Sequence, residues 1–338
     1  MKMQRPRLIA MTVIPLLIGA LVIMYPAGAT TINGAAAGQG GTTTLPQLAT
    51  PVDWTPVDQA MGRAGAMQPG NVQRYAFPRS DLQVTVRGTV VKAPFALGTH
   101  IEMLPVGDGS VMYMGDLVLT EDEVSPVLSA LQQGGMDLAA LHNHLLGESP
   151  RVMYLHIGGH GDPVPIATTI HTALGQSKTP MTAAPSTAPA PDTGLDTKQL
   201  DQLLGYAGKA NGGVYQFSVP RVEKIMDSGM MGANMPGMDP MDIELPPAIG
   251  VATAINFQAT GDGKALITGD FVLLGNEIAS VSRILQGSGI DVTAVHSHSS
   301  TDSPRLFYLH FFANDDPAKL ASSLRAALNQ TNSAPAAQ

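Results

Sequence analysis

Residues 142–156 read HNHLLGESPRVMYLH and residues 296–310 read HSHSSTDSPRLFYLH. The match runs beyond these stretches: at a constant offset of 154 and without a gap, 24 of the 61 positions from Gly115 to Gly175 recur unchanged between Gly269 and Asn329. This is an internal duplication. It decides the fold class, because each local reading of one copy can be checked against the other.

Upstream of each histidine stretch lies a pair of strands. THIEMLPV and VMYMGDLVLT flank the turn Gly107-Asp108-Gly109, and TAINFQAT and ALITGDFVLL flank Gly261-Asp262-Gly263. Val124, Val127, Leu128 and Leu131 then recur at helical spacing up to Gly134-Gly135, as Ile278, Val281, Ile284 and Leu285 do before Gly287. MDLAALHNH and RVMYLHIGG read as two strands around the Ser-Pro-Arg turn. After them, Asp162-Pro163 and Asp316-Pro317 each offer an N-cap followed by proline at the first helical position. Ile166, Ile170 and Leu174, matched by Leu320, Leu324 and Leu328, give the last helix its apolar stripe. The expectation is α+β: two tandem ββαββα-like repeats, each an antiparallel sheet with helices on one face, able to pair around a pseudo-twofold axis.

The flanking composition sets the boundaries. A basic start (Lys2, Arg5, Arg7), an apolar run over residues 8–25 and Ala27-Gly28-Ala29 make residues 1–30 a signal peptide or an N-terminal membrane anchor. Residues 31–50 and 176–195 read as flexible Gly/Ala/Thr/Pro linkers around a first repeat domain, 51–175, and a second, 196–330, with 331–338 a disordered tail. The chain is therefore expected to be exported, to the periplasm or the extracellular space. The absence of cysteine excludes disulfides, thiolate metal sites and a lipidated junction. A net charge of −8, with no basic cluster beyond the N-terminus, excludes a nucleic-acid partner.

Six of the nine histidines lie in the repeated motif. Alternate strand residues share a face, so His142 and His144 project side by side at a Cα separation of about 6.5–7 Å. A reversal at Ser149-Pro150 is expected to bring His156 opposite His142 and Tyr154 opposite His144, with Glu148 in the turn. Three neutral imidazoles and a carboxylate suit a divalent ion such as Zn, Cu, Fe or Mn. The second copy repeats the set as His296, His298, Asp302 and His310. HxHxxxE also opens cupin metal motifs, but the next histidine comes too soon and helices interrupt the strands, which argues against a jelly roll.

Around the motif, His100, His160 and His171 become Ala254, Asn314 and Arg325 in the second copy, which makes the first site the expected place for chemistry. His160 is a candidate fourth ligand or general acid/base. His171 reads as solvated. Arg151 can clamp Glu148, as Arg305 can clamp Asp302, or can hold an anionic ligand. Asp116 and Asp270, charged residues inside apolar runs, read as turn or bulge residues or as partners of a ligating histidine. The methionine-rich insertion 226–241 (MDSGMMGANMPGMDPM) reads as a loop, either surface drift or a soft Cu(I) ligand set.

The order of Gly-Asp strand, helix, HxHxxxE/D-SPR-xx-YLH and Asp-Pro helix, twice over residues 54–330, resembles the LppY/LpqO family of exported bacterial proteins, a duplicated domain of uncharacterised function. The resemblance implies an exported, duplicated α+β domain and no reaction, and the missing lipobox cysteine keeps lipid attachment from being carried over. Three functions stay open. One is an exported metal-binding protein. Another is a metal-dependent hydrolase of a small anionic substrate, in which the ion lowers the pKa of a bound water towards ~7, Glu148 or His160 is the general base and Arg151 orients the substrate. The last is a structural or partner-binding module without metal.

Overall fold

The paired strands form as antiparallel ladders in both halves. The computed structural model describes residues 51–107, 109–182, 192–227 and 243–336. The expected signal or anchor segment, the linker 31–50, residues 183–191 of the second linker and the methionine-rich insertion beyond Asp227 lie outside the described residues.

In the first half the elements are α1 (Trp54–Met61), β1 (Ala66–Gln68), β2 (Val72–Pro78), β3 (Thr85–Val86), β4 (Thr89–Val90), α2 (Ala93–Ala96), β5 (Gly98–Gly107), β6 (Ser110–Thr120), α3 (Glu121–Gln133), β7 (Leu138–His142), β8 (Glu148–Ser149), β9 (Val152–Gly161) and α4 (Pro163–Leu174). The second half repeats them as α5 (Thr197–Leu204), β10 (Lys209–Asn211), β11 (Val214–Val219), β12 (Met226–Asp227), β13 (Ile243–Glu244), a 3-10 turn at Pro247–Ile249, β14 (Thr253–Ala259), β15 (Ala265–Leu274), α6 (Ile278–Gly287), β16 (Asp291–His296), β17 (Asp302–Ser303), β18 (Leu306–Asp315) and α7 (Pro317–Leu328). The α+β class and the duplicated ββαββα unit stand as read. Each unit is longer at its N-terminus, where a helix and two strands extend the sheet. Periodicity there is too short to register.

The sheets run β1-β2-β5-β6-β9-β7 and β10-β11-β14-β15-β18-β16, antiparallel throughout. Strand alternation sorts each into two faces. On β6, Val111, Tyr113, Leu117 and Leu119 meet the helices, while Met112, Met114 and Val118 point the other way. Asp162 and Asp316 cap α4 and α7 as read, accepting from the amides of Val164 and Lys319.

The faces turned away from the helices meet each other. Val118, Val152 and Tyr154 of the first half share a core with Val214, Leu266 and Phe312 of the second, and Met112 and Met114 share another with Val272, Leu306 and Tyr308. The order is helices, sheet, sheet, helices, with both halves inside one compact unit, Leu48–Gln338. Side chains stitch the seam. Gln258 accepts from the Lys92 amide at 2.8 Å and donates to the Val90 carbonyl at 2.7 Å, and Thr293 Oγ1 donates to the His144 carbonyl at 2.6 Å.

Two further expectations change. Residues 331–336, read as part of a disordered tail, run back along the second half: Ser333 bridges Arg221, the Ala334 amide donates to the Pro220 carbonyl, and Tyr206 Oη donates to the Ala334 carbonyl. Met226 and Asp227, read as the start of a loop, form β12, which pairs with β13 and β17. β12 and β13 thus pair as β3 and β4 do, the latter across the two-residue turn Arg87-Gly88.

A buried ion-pair network recurs in each half. Arg79, fully buried, donates to Glu123 at 2.7 and 3.1 Å, to Asp81 and to the Val118 carbonyl, and Arg221 does the same with Glu277, Glu223 and the Val272 carbonyl. Glu123 also closes the capping box of α3, so the network ties helix start to sheet. Arg79→Ala strands a buried carboxylate and is expected to cost about 3–5 kcal/mol in denaturant unfolding, with the loss partly recovered in Arg79→Ala/Glu123→Ala. A loss under about 1 kcal/mol would mean the network does not hold the halves' cores.

Candidate metal centre

Strands β7 and β16 are the last strands of their sheets, and His142 and His296 are their last residues. The expected hairpin register needs correction. Tyr154, not His156, lies opposite His142, and His156 lies opposite Ala140. Residues 143–147 do not turn tightly. They leave the sheet so that Glu148–Ser149 can pair with β3, and the chain rejoins the ladder two residues further along. A shift of two preserves the side-chain face, so His156 still points into the seam with His142.

The six motif histidines do not form two sites, as the sequence reading expected. They meet as one cluster on the pseudo-twofold axis, because each sheet presents its set to the face that the other sheet covers. Ring centroids lie 3.8 Å apart for His142 and His296, 3.6 Å for His144 and His310, and 3.9 Å for His156 and His298. Each of these close pairs takes one ring from each half. His142 Nε2 and His156 Nε2 stand 2.8 Å apart, and His296 Nε2 and His298 Nε2 stand 3.0 Å apart. Two triads, His142–His144–His310 and His142–His156–His296, offer ligand atoms within 4.8 Å of one another. These groups can hold a metal ion. Tyr154 packs on His144 and Tyr308 on His298, with centroids 3.9 and 3.4 Å apart, which fixes the planes of those rings.

Asp116 and Asp270 belong to the same place. Both sit mid-strand, opposite His156 and His310, rather than in a turn or bulge. Asp116 Oδ1 is 3.9 Å from His156 Nε2 and Asp116 Oδ2 is 4.0 Å from His144 Nε2, while Asp270 Oδ1 is 3.8 Å from His144 Nδ1 and contacts His310 Nδ1. The glycine before each is tightly packed, Gly115 against the side chains of Ile101 and Ile157 and Gly269 against a neighbouring strand's backbone. A Cβ on Gly269 would stand 1.9 Å from the Ala254 carbonyl oxygen. In sequence these aspartates showed as charges inside apolar runs, at the same strand parity as the histidines. That parity was the available signal.

The halves differ in what stands behind the aspartates. Behind Asp116, His100 Nε2 lies 3.9 Å away, His100 Nδ1 is 3.0 Å from Glu102, and Glu102 pairs with Arg74 at 3.1 Å. In the second half the matching residues are Ala254, Asn256 and Gln216, and only a neutral bond from Gln216 to Asn256 remains. Access differs too. His144, His156 and His310 are buried, whereas His142, His296 and His298 are only partly covered, so the centre opens at the two strand ends.

The remaining candidates lie elsewhere. Glu148 is buried on β8, neither of its carboxylate oxygens has a hydrogen-bond partner, and it joins neither triad. Asp302 accepts from the Leu306 amide at 2.7 Å and pairs with Arg305 at 3.4 Å, closing its own turn. Arg151 does not clamp Glu148: it is half-exposed and stands 3.8 Å from Glu121. His160 lies 3.2 Å from Asp227 of the other half, outside both triads. His171 is not simply solvated: its Nδ1 bonds the Met61 carbonyl at the end of α1, and Arg325 makes the equivalent bond to Leu204 at the end of α5.

Burial decides the protonation of the cluster. It pushes His142 down to about 4 and His296 down to about 2, and it drives His144, His156 and His298 well below the ordinary imidazole range, with the neighbouring rings adding to the effect. These rings are neutral at pH 7, so their lone pairs are free to bind metal. Burial also pushes Asp116 up to about 7. His142 Nδ1, His144 Nε2, His296 Nδ1 and His310 Nε2 are buried without hydrogen-bond partners. A set of neutral imidazoles with carboxylates and no sulfur suits Zn, Cu(II), Fe or Mn.

A family model described as Domain of Unknown Function (DUF1259) matches the chain twice, over residues 55–176 and 198–330. The chain belongs to that family. In this DUF1259 protein the two matches coincide with the two halves of the fold, so the centre lies between one family unit and the next. No curated protein matches the chain. Solved structures similar to it include the trimeric bacterial microcompartment shell protein PduB (14% identity, 80% of this chain and 96% of that one, TM-score 0.19) and EtuB from Clostridium kluyveri (10% identity, 78% and 90%, TM-score 0.18). The double ringed trimeric shell protein MSM0271 from the RMM microcompartment is also similar (10% identity, 69% and 88%, TM-score 0.16). Overlaps this low carry no inference about this chain.

The cluster makes stability depend on pH in a definite direction. Five rings stay neutral in the folded protein but take up protons in the unfolded chain below its ordinary imidazole value of 6.5, so their contribution is full above that value and is lost as pH falls. Asp116 and His100, both raised, act in the opposite sense, and the five outnumber the two. The metal-free protein is expected to melt on the order of 5 °C or more lower at about pH 5 than at about pH 7.5, as read by circular dichroism. A flat profile would show that the rings are not held neutral.

Proposed function

We propose that this is an exported metal-binding protein in which the two repeats jointly hold a divalent ion. The observation that carries the reading is the meeting of six imidazoles, three from each half, five of them in two triads, in a seam where four ring nitrogens are buried without a hydrogen-bond partner. Unpaired buried polar groups are costly, and a cation at the centre satisfies several at once. The basic start, the apolar run from Leu8 to Tyr25 and Ala27-Gly28-Ala29 support export, to the periplasm or beyond the cell. The twice-repeated histidine hairpin supports kinship with the LppY/LpqO proteins within the wider family.

A metal-dependent hydrolase is the second reading, favoured by the partial exposure of His142, His296 and His298, which leaves room at the rim for an exchangeable water and a small anionic substrate. A module without metal is the third, and the same measurement disposes of it or of the first two. Elemental analysis of the purified chain, with His142→Ala and His296→Ala, tests the centre. Because its rings come from both halves, either substitution is expected to remove most of the bound ion, and the pair to do little more. If each substitution removed half, the repeats would hold separate sites. An absence of metal in the wild type would leave only the structural module.

A further inference from the structure

We infer that Asp116 and Asp270 are themselves metal ligands, which makes the centre a mixed imidazole–carboxylate site for a divalent ion. This rests on the metal reading above and names ligands that the histidine motif does not contain.

Three observations converge on it. First, the two aspartates occupy equivalent mid-strand positions and project from the same sheet faces as His156 and His310, their register partners. Second, each lies near two of the rings: Asp116 is about as far from His144 as from His156, both of its own half, and Asp270 touches His310 across its own ladder and lies 3.8 Å from His144 of the other half. Third, Asp116 Oδ1 is buried without a hydrogen-bond partner, and so is His144 Nε2, 4.0 Å from the other oxygen of the same carboxylate. Asp116 and the rings of His144 and His156, held about 4 Å apart without a hydrogen bond between them, are an arrangement that a cation draws together.

Donor type then sets the kind of ion: carboxylate oxygen beside imidazole nitrogen is a set that suits a divalent ion such as Zn, Fe or Mn. Cu(I), a soft ion, is matched less well by this oxygen and nitrogen set. Among the described residues no arginine or lysine pairs with either aspartate, and Arg74 pairs with Glu102.

The absence of cysteine supplies the test. Asp116→Cys and Asp270→Cys are each loaded with Co(II) in the full chain, with wild type alongside. A thiolate that binds the ion directly adds a near-ultraviolet sulfur-to-cobalt charge-transfer band, which a residue that merely orients a histidine cannot produce. A band at either position supports the inference, and its absence at both overturns it while the metal reading stands. A wild type that takes up no Co(II) overturns both. Should the cysteine variants fail to fold, Asp116→Asn and Asp270→Asn decide by Co(II) competition against a chelator. A loss of about 100-fold or more in affinity supports direct ligation, and one below about tenfold overturns it.

Discussion

Everything in the centre of this protein follows from one constraint: two sheets that bury their inner faces against each other leave no water for the polar groups caught between them. Six imidazoles and two carboxylates stand there, where an unpaired donor or acceptor is expensive. The cost is tolerated because the shoulders of the seam are apolar. Val118, Tyr154 and Phe312 close one side, and Met114, Val272 and Tyr308 close the other. These cores hold the sheets together, so the middle is free to be chemically reactive rather than well packed.

The duplication gives the centre its character. A single repeat presents three histidines on one sheet face and has nothing to cover them. Two repeats related by a pseudo-twofold cover each other, and the rings pair across the axis, His142 with His296, His144 with His310 and His156 with His298. Drift between the copies acts on the surroundings and not on the rings. The chain His100–Glu102–Arg74 stands behind the first aspartate, and a neutral amide pair stands behind the second. His171 and Arg325 show the same kind of drift at no cost to the fold, since both reach back to a helix-end carbonyl, Met61 or Leu204.

Much of the fold was legible in the sequence, because strands and helices that bury one face leave a period behind. β15 spans the run ALITGDFVLL, and both Asp-Pro caps hold as read. The hairpin register was misjudged because Glu148–Ser149 pairs with a two-residue strand, Thr85–Val86, too short to leave any periodic trace. Among the site residues the histidines were found by repetition. Glu148 and Arg151 were drawn in by nearness along the chain, and the structure sends them elsewhere.

By itself the sequence determined which residues repeat, which faces are apolar and that the six histidines share one side of their sheets, since alternation along a strand is a local property. Only the tertiary structure decided that the two sets form a single centre, that the aspartates of the Gly-Asp pairs stand in it, and that the partly open side lies at the ends of β7 and β16. Those outcomes depend on how one sheet lies on the other. That is settled by the shape and burial of residues far apart in the chain, such as Gln258 against Val90 and Thr293 against His144, whose partnership leaves no pattern in the order of the amino acids.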